Sequence, residues 1–133
     1  MLPILLSAAL ATAQPTPCPT DIVVANPRLK LVRATDRAYD NDIVTVSVTN
    51  NGSVAQRPDV RQHLDLLIGP TVVGSQPIPP LASHDSYEAA FRFQVRHEAK
   101  RDPLKVTLRF VIDSKTAPGE NCTTTNDQVT AVL

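Results

Sequence analysis

Residues 42–52 read DIVTVSVTNNG, and the alternation inside this run constrains the chain more than any other feature. Val44, Val46 and Val48 fall two apart, with Thr45, Ser47 and Thr49 between them. A helix would scatter these side chains around its circumference. A strand sends successive side chains to opposite faces, so the pattern predicts a strand with one dry side and one wet side. Branching at Cβ in Val and Thr favours the same state. The run ends at Asn51-Gly52, two residues that accept positive φ, which predicts a tight hairpin turn.

The same period recurs along the chain. Ile22–Val24 is followed, past Asn26-Pro27, by Leu29, Leu31 and Arg33, and a proline inside such a run suits an edge strand or a strand that changes sheets. HLDLLIG sets Leu64, Leu66 and Ile68 against His63, Asp65 and Leu67, and stops at Gly69-Pro70. TVVGSQ, residues 71–76, has the composition of a short edge strand. Tyr87, Ala89, Phe91, Phe93 and Val95 alternate in the next run, Leu104, Val106, Leu108, Phe110 and Ile112 in the one after, and Val129, Ala131 and Leu133 close the chain. No apolar pattern of helical period persists for three turns. The expected fold is all-β, an immunoglobulin-like antiparallel β-sandwich of about seven strands.

Length and charge exclude several classes. The chain has 133 residues, enough for one domain. Lys plus Arg and Asp plus Glu number 13 each, so the formal net charge is zero and no basic field exists to gather nucleic acid. Tryptophan is absent and aromatics make up 4%, which argues against an aromatic stacking platform for sugars. The apolar run from Leu2 to Ala13 is shorter than the roughly 20 residues of a spanning helix. With Ala11-Thr12-Ala13 as a small-x-small cleavage site, it predicts a signal peptide over residues 1–13 and export to the periplasm, cell envelope or medium, without a transmembrane anchor. Residues 14–20, QPTPCPT, form an extended proline-rich lead-in, and residues 21–133 form the domain. In an exported chain, two cysteines are most simply one disulfide, here Cys18 to Cys122.

Four stretches carry a family resemblance: DIVVANPRL at 21–29, DIVTVSVTNNGSV at 42–54, PIPPLASHDSYEAAFRF at 77–93 and VTLRFVIDSKTAPGENCTTTNDQVTAVL at 106–133. Together they resemble bacterial CARDB domains, cell-adhesion-related modules of exported and surface proteins. The resemblance implies a strand, an aspartate, an acid-rich loop and an Asn pair before the last strand. Asp113, Glu120 and Asn126 match that layout, Asp127 stands in place of the second Asn, and Cys122 is an addition.

No cofactor is required by any motif. Asp113, Glu120, Asn126 and Asp127 supply oxygen atoms for a calcium site if they converge, although their spacing is not that of an EF-hand, and solvated acids in a surface loop are the plainer reading. His63, His84 and His97 share no ligand spacing and are expected to face solvent. No nucleophile elbow or phosphate-cradling glycine run appears among 4 glycines, so no catalytic residue is nominated. The candidate contact surface lies in two charged loops, one around Arg57, Asp59 and Arg61 and one around Arg96, Lys100 and Arg101. The expectation is a non-catalytic adhesion or interaction module that binds a protein or glycan at the cell envelope. The alternative is a structural building block of the envelope or surface layer that acts through self-association as a homo-oligomer.

Overall fold

The computed structural model describes residues 19–33, 38–96, 103–113 and 127–133. Among them every regular element is a strand: β1 (Ile22–Arg33), β2 (Tyr39–Asn50), β3 (Gln62–Ile68), β4 (Thr71–Pro77), β5 (Ser86–Arg96), β6 (Lys105–Ile112) and β7 (Gln128–Val132). They make two antiparallel sheets, in the orders β1-β2-β5 and β4-β3-β6-β7. The two-layer, seven-stranded expectation holds.

Alternation decides what each sheet buries. Val44, Val46 and Val48 of β2 are at most 1% exposed. They share the core with Ala89 and Phe91 of β5 and, from the other sheet, with Leu64, Leu66, Val106, Leu108 and Phe110. In β1 the buried phase changes parity along the strand. Ile22 and Val24 face inward, yet beyond the proline it is Leu29 that packs on the core. The cause is a bulge. Ala25 pairs with Ser47 and Arg28 with Thr45, so Asn26 and Pro27 together oppose one residue of β2. Asn26 has φ 58°, a left-handed conformation that Asn tolerates better than most residues. The proline is thereby absorbed in an edge strand without ending it.

Two further local features shape the four-stranded sheet. β3 and β4 are joined by Gly69-Pro70, with Ile68 opposite Thr71. Gly69 has φ 59°, and proline fixes a negative φ at the next position, the combination that a type II′ hairpin turn requires. In β4, a Cβ at Gly74 would lie 2.9 Å from Cδ1 of Phe91, so only glycine lets the edge strand close down on the opposite sheet. Gln76 fastens the same side, its Nε2 donating to the Tyr87 hydroxyl at 3.1 Å and its Oε1 accepting from the Ala90 N–H at 3.1 Å.

The expected hairpin at Asn51-Gly52 is not formed. β2 belongs to one sheet and β3 to the other, so residues 51–61 cross between layers. Gly52 has no positive φ. It is required for a different reason: a Cβ there would drive into the carbonyl of Pro19. The crossing is organised by Asn50, which is 0% exposed. Its Nδ2 donates to the carbonyls of Val54 (2.9 Å) and Leu81 (3.2 Å), and its Oδ1 accepts from the N–H of Gly52 (2.9 Å) and Asp21 (3.2 Å). Both amide donors face carbonyls and the oxygen faces two N–H groups, so the side chain has one self-consistent orientation. Its backbone is engaged too, with Asn50 N–H donating to Asp85 O and His84 N–H donating to Asn50 O.

A second buried amide pair extends this end. Gln56 and Gln62 donate to each other at 2.8 Å, Gln56 Oε1 also accepts from Leu81 N–H, and Gln62 Nε2 donates to Pro79 O. The 51–61 connection is therefore anchored, with Gln56 and Val60 buried, and only part of it is a solvated rim.

Replacing Asn50 by Ala takes the side-chain partner from two buried groups, the Leu81 carbonyl and the Gly52 N–H, and from two part-buried ones at Val54 and Asp21, a buried group costing about 1–3 kcal/mol when unsatisfied. Urea unfolding should show a loss of roughly 3–5 kcal/mol, and Asn50→Asp, which turns both donors into acceptors, should lose at least as much. A loss below about 1 kcal/mol would show that the network carries little of the stability.

Candidate functional site: a polar depression at the start of β3

The outer face of the four-stranded sheet receives the residues that alternate with its core side chains. On β3 these are His63, Asp65 and Leu67. The register sets His63 beside Pro77 of β4 and Val111 of β6, and Asp65 beside Ser75 and Arg109. Asp65 is 8% exposed although it points away from the core, because its strand is flanked on both sides. His63 was expected to face solvent. Its side chain does lie on the outer face, 29% exposed, and is held between two carboxylates, with Nε2 3.5 Å from Asp65 Oδ2 and Nδ1 3.6 Å from Asp113 Oδ1. Arg109 reaches Asp65 from the neighbouring strand at 4.0 Å. These separations are longer than those of good hydrogen bonds.

One backbone bond completes the arrangement. Asp113 N–H donates to Arg61 O at 2.9 Å and extends the β3–β6 ladder one pair beyond Gln62 and Ile112. Arg61 and Asp113, which the sequence assigns to two separate loops, thus become neighbours. With His63, Ser75, Pro77 and Ile78 they line an open depression of about 490 Å³. The lining combines aliphatic residues with an arginine, a histidine, an aspartate and a serine.

The remaining candidates are distributed elsewhere. Arg57 and Asp59 bind each other at 2.8 Å in an exposed ion pair and do not line the depression. Arg96 is exposed at the far end of β5, opposite Tyr39. Lys100 and Arg101, the cysteines Cys18 and Cys122, and Glu120 and Asn126 lie outside the described residues. Of the four calcium candidates only Asp113 and Asp127 are described, and they sit on opposite sides of β6. Asp113 joins the β3 side, whereas the Asp127 carbonyl accepts from Phe110 N–H on the β7 side. Among the described residues no group of three or more His, Cys, Asp or Glu is arranged to hold a metal ion.

The pairing of His63 with Asp65 was open to the sequence, since residues two apart on a strand share a face. The approach of Asp113 was not, because it depends on the β3–β6 register.

Two packed antiparallel sheets, with polar connections gathered at the Asn50 end, define a β-sandwich of immunoglobulin-like type. The CARDB family model matches residues 20–130, and the chain belongs to that family. Membership puts it in the class of cell-surface, adhesion-related modules. No curated protein and no solved structure matches the chain significantly. Among the described residues no helix is long and apolar enough to cross a membrane.

Asp127 allows a test by titration. Burial raises its carboxyl above the usual aspartate range, partly offset by its own backbone N–H. An acid whose folded-state value is raised binds its proton more tightly in the folded form, so stability falls as pH rises from the ordinary aspartate range through the raised one. Asp127→Asn removes that dependence. The variant should therefore gain on the wild type in thermal unfolding at neutral pH relative to its standing at acidic pH. A difference between the two proteins that stays constant across the acid range would contradict the assignment.

Proposed function

We propose that this chain is an exported, non-catalytic interaction module that holds a protein or glycan partner at the cell envelope through the depression at Arg61, His63 and Asp113. The observation that carries the reading is that these three residues, from two distant parts of the chain, line one depression on a sheet face. Function is commonly placed where such a scaffold fixes polar groups. The lining suits recognition by hydrogen bonds and charge: Arg61 for an acceptor or carboxylate, Asp113 for hydroxyls or a cation, Ser75 for either. Exposed Pro77 supplies apolar contact area without an aromatic platform.

Export rests on the apolar leader ending at Ala13 and on family membership. The Cys18 to Cys122 bridge is part of the same reading. Pro19, next to Cys18, packs against Gly52 at the Asn50 end. β6 finishes and β7 begins at that end as well, so the described flanks of both cysteines approach the same end of the sandwich. A bridge closing a loop of about 100 residues contributes roughly 4.7 kcal/mol in the chain-entropy account.

The mature, exported protein should begin at Gln14, and its intact mass without reductant should be two hydrogens below the fully reduced value. Free thiols in native material would remove the bridge from the account. For binding, wild type and the Arg61→Ala, Asp113→Asn double variant would be compared on a glycan array and against envelope proteins. Partners captured by the wild type should bind the variant at least about tenfold more weakly, or roughly 1.4 kcal/mol, with unchanged unfolding temperature. Equal capture would rule out the depression as the contact surface.

A further inference from the structure

We propose that β4 is a self-pairing edge, through which two copies of this chain join antiparallel about a two-fold axis and make one continuous sheet of their four-stranded layers. Among the described residues β4 has only β3 as a ladder neighbour, and its other side presents backbone groups that no described strand pairs. The direction of those groups follows from the register. Ile78 N–H donates to Gln62 O at 3.1 Å, and alternation from that bond turns Ser75 and Pro77 outward. Ser75 offers both an N–H and a carbonyl to an incoming strand. Pro77 has no N–H to offer, and sits where its absence costs no bond to β3 and marks where a partner strand would stop. Between Leu66 and Leu67 the register shifts, leaving Val73 as the extra residue of a bulge, with Val72 and Val73 exposed by 47% and 49%.

Charge selects both this edge and a second copy as its occupant. Residues 66–83 contain no Asp, Glu, Lys, Arg or His. The edges of the other sheet are protected in ordinary ways: β1 carries Pro27, Arg28, Lys30 and its bulge, and β5 carries Glu88, Arg92 and Arg96 and has its Ala90 N–H taken by Gln76. β7 is uncharged but has only 5 residues, with β1 lying against it. Antiparallel self-pairing sets a strand against its own sequence, which penalises a charged edge and leaves an uncharged one untouched. The whole chain has zero formal net charge, so two copies meet without long-range repulsion. The two-fold contact would cover Val72 and Val73 of each copy against one another, and an isologous contact of this kind closes at the dimer.

The pairing rests on the open side of β4 and not on the binding reading, although Ser75 and Pro77 also line the depression. Sedimentation of the purified full chain over a range of micromolar concentrations tests it. The wild type should form a concentration-dependent dimer. Val73→Lys sets like charges across the two-fold axis and should give monomer. Ser75→Pro removes an outward N–H, together with a hydroxyl that the pairing does not use, and should weaken the dimer about tenfold with the monomer still folded, which decides the matter if the lysine variant does not fold. Val54→Lys, at an exposed valine of the 51–61 connection, should leave the dimer intact. A wild type that stays monomeric overturns the proposal, as does a dimer indifferent to both β4 variants or equally sensitive to the Val54 change.

Discussion

The side-chain amide of Asn50 holds together the parts of this molecule that its strands alone would leave unconnected. Two sheets pressed face to face bury their apolar sides, but nothing in that burial fixes how the chain passes from one layer to the other. Asn50 fixes it by bonding to the lead-in at Asp21, the crossing segment at Gly52 and Val54, and the β4–β5 connection at Leu81. All of its hydrogen-bonding capacity is used inside a site closed to water, where an unmet partner would be most costly. Gly52 belongs to the same constraint, because the chain must pass close under Pro19 for these bonds to form. The Gln56–Gln62 pair carries the order onward to the first residue of β3.

From that residue the depression follows by register alone. With Gln62 fixed, His63 is turned outward, Asp65 lies beside Arg109, and the last pair of the ladder joins Arg61 to Asp113. The outer sheet face is thus divided. Its Asn50 end carries His63, Asp65, Arg109 and Asp113, while its opposite end carries Val72, Leu67, Thr107 and Thr130 in register across all four strands. Polar recognition and edge pairing therefore centre on different parts of one sheet and meet at Ser75 and Pro77, which line the depression and belong to β4.

Much of this was legible in the sequence because a strand's two faces are written in alternate residues. Val44, Val46 and Val48, or Leu64 and Leu66, could hardly be arranged otherwise, and Pro27 suited either an edge strand or one that changes sheets, of which the structure has the edge. The turn signals were less dependable. Gly69-Pro70 makes the hairpin its composition suggests. Asn51-Gly52 carries a stronger local signal for the same turn and does not make one, since its glycine answers to a distant carbonyl instead of its own backbone preference. Asn50 resembled an ordinary strand-end residue, and its role depends on three segments that only the fold assembles. The candidate site was half visible for the same reason: His63 and Asp65 share a face by spacing, whereas Arg61 and Asp113 meet only through the β3–β6 register.

Native-state amide hydrogen exchange, followed residue by residue, tests the organising role of Asn50 most directly. If its side chain unites these segments, the amides of Gly52, Val54, Gln56, Leu81 and His84 are protected to the same degree as Val46 in the middle of β2 and open with it in one global event. Rapid exchange of the connections while β2 stays protected would contradict the account, because the crossing would then be a loose tether between two sheets that assemble without it.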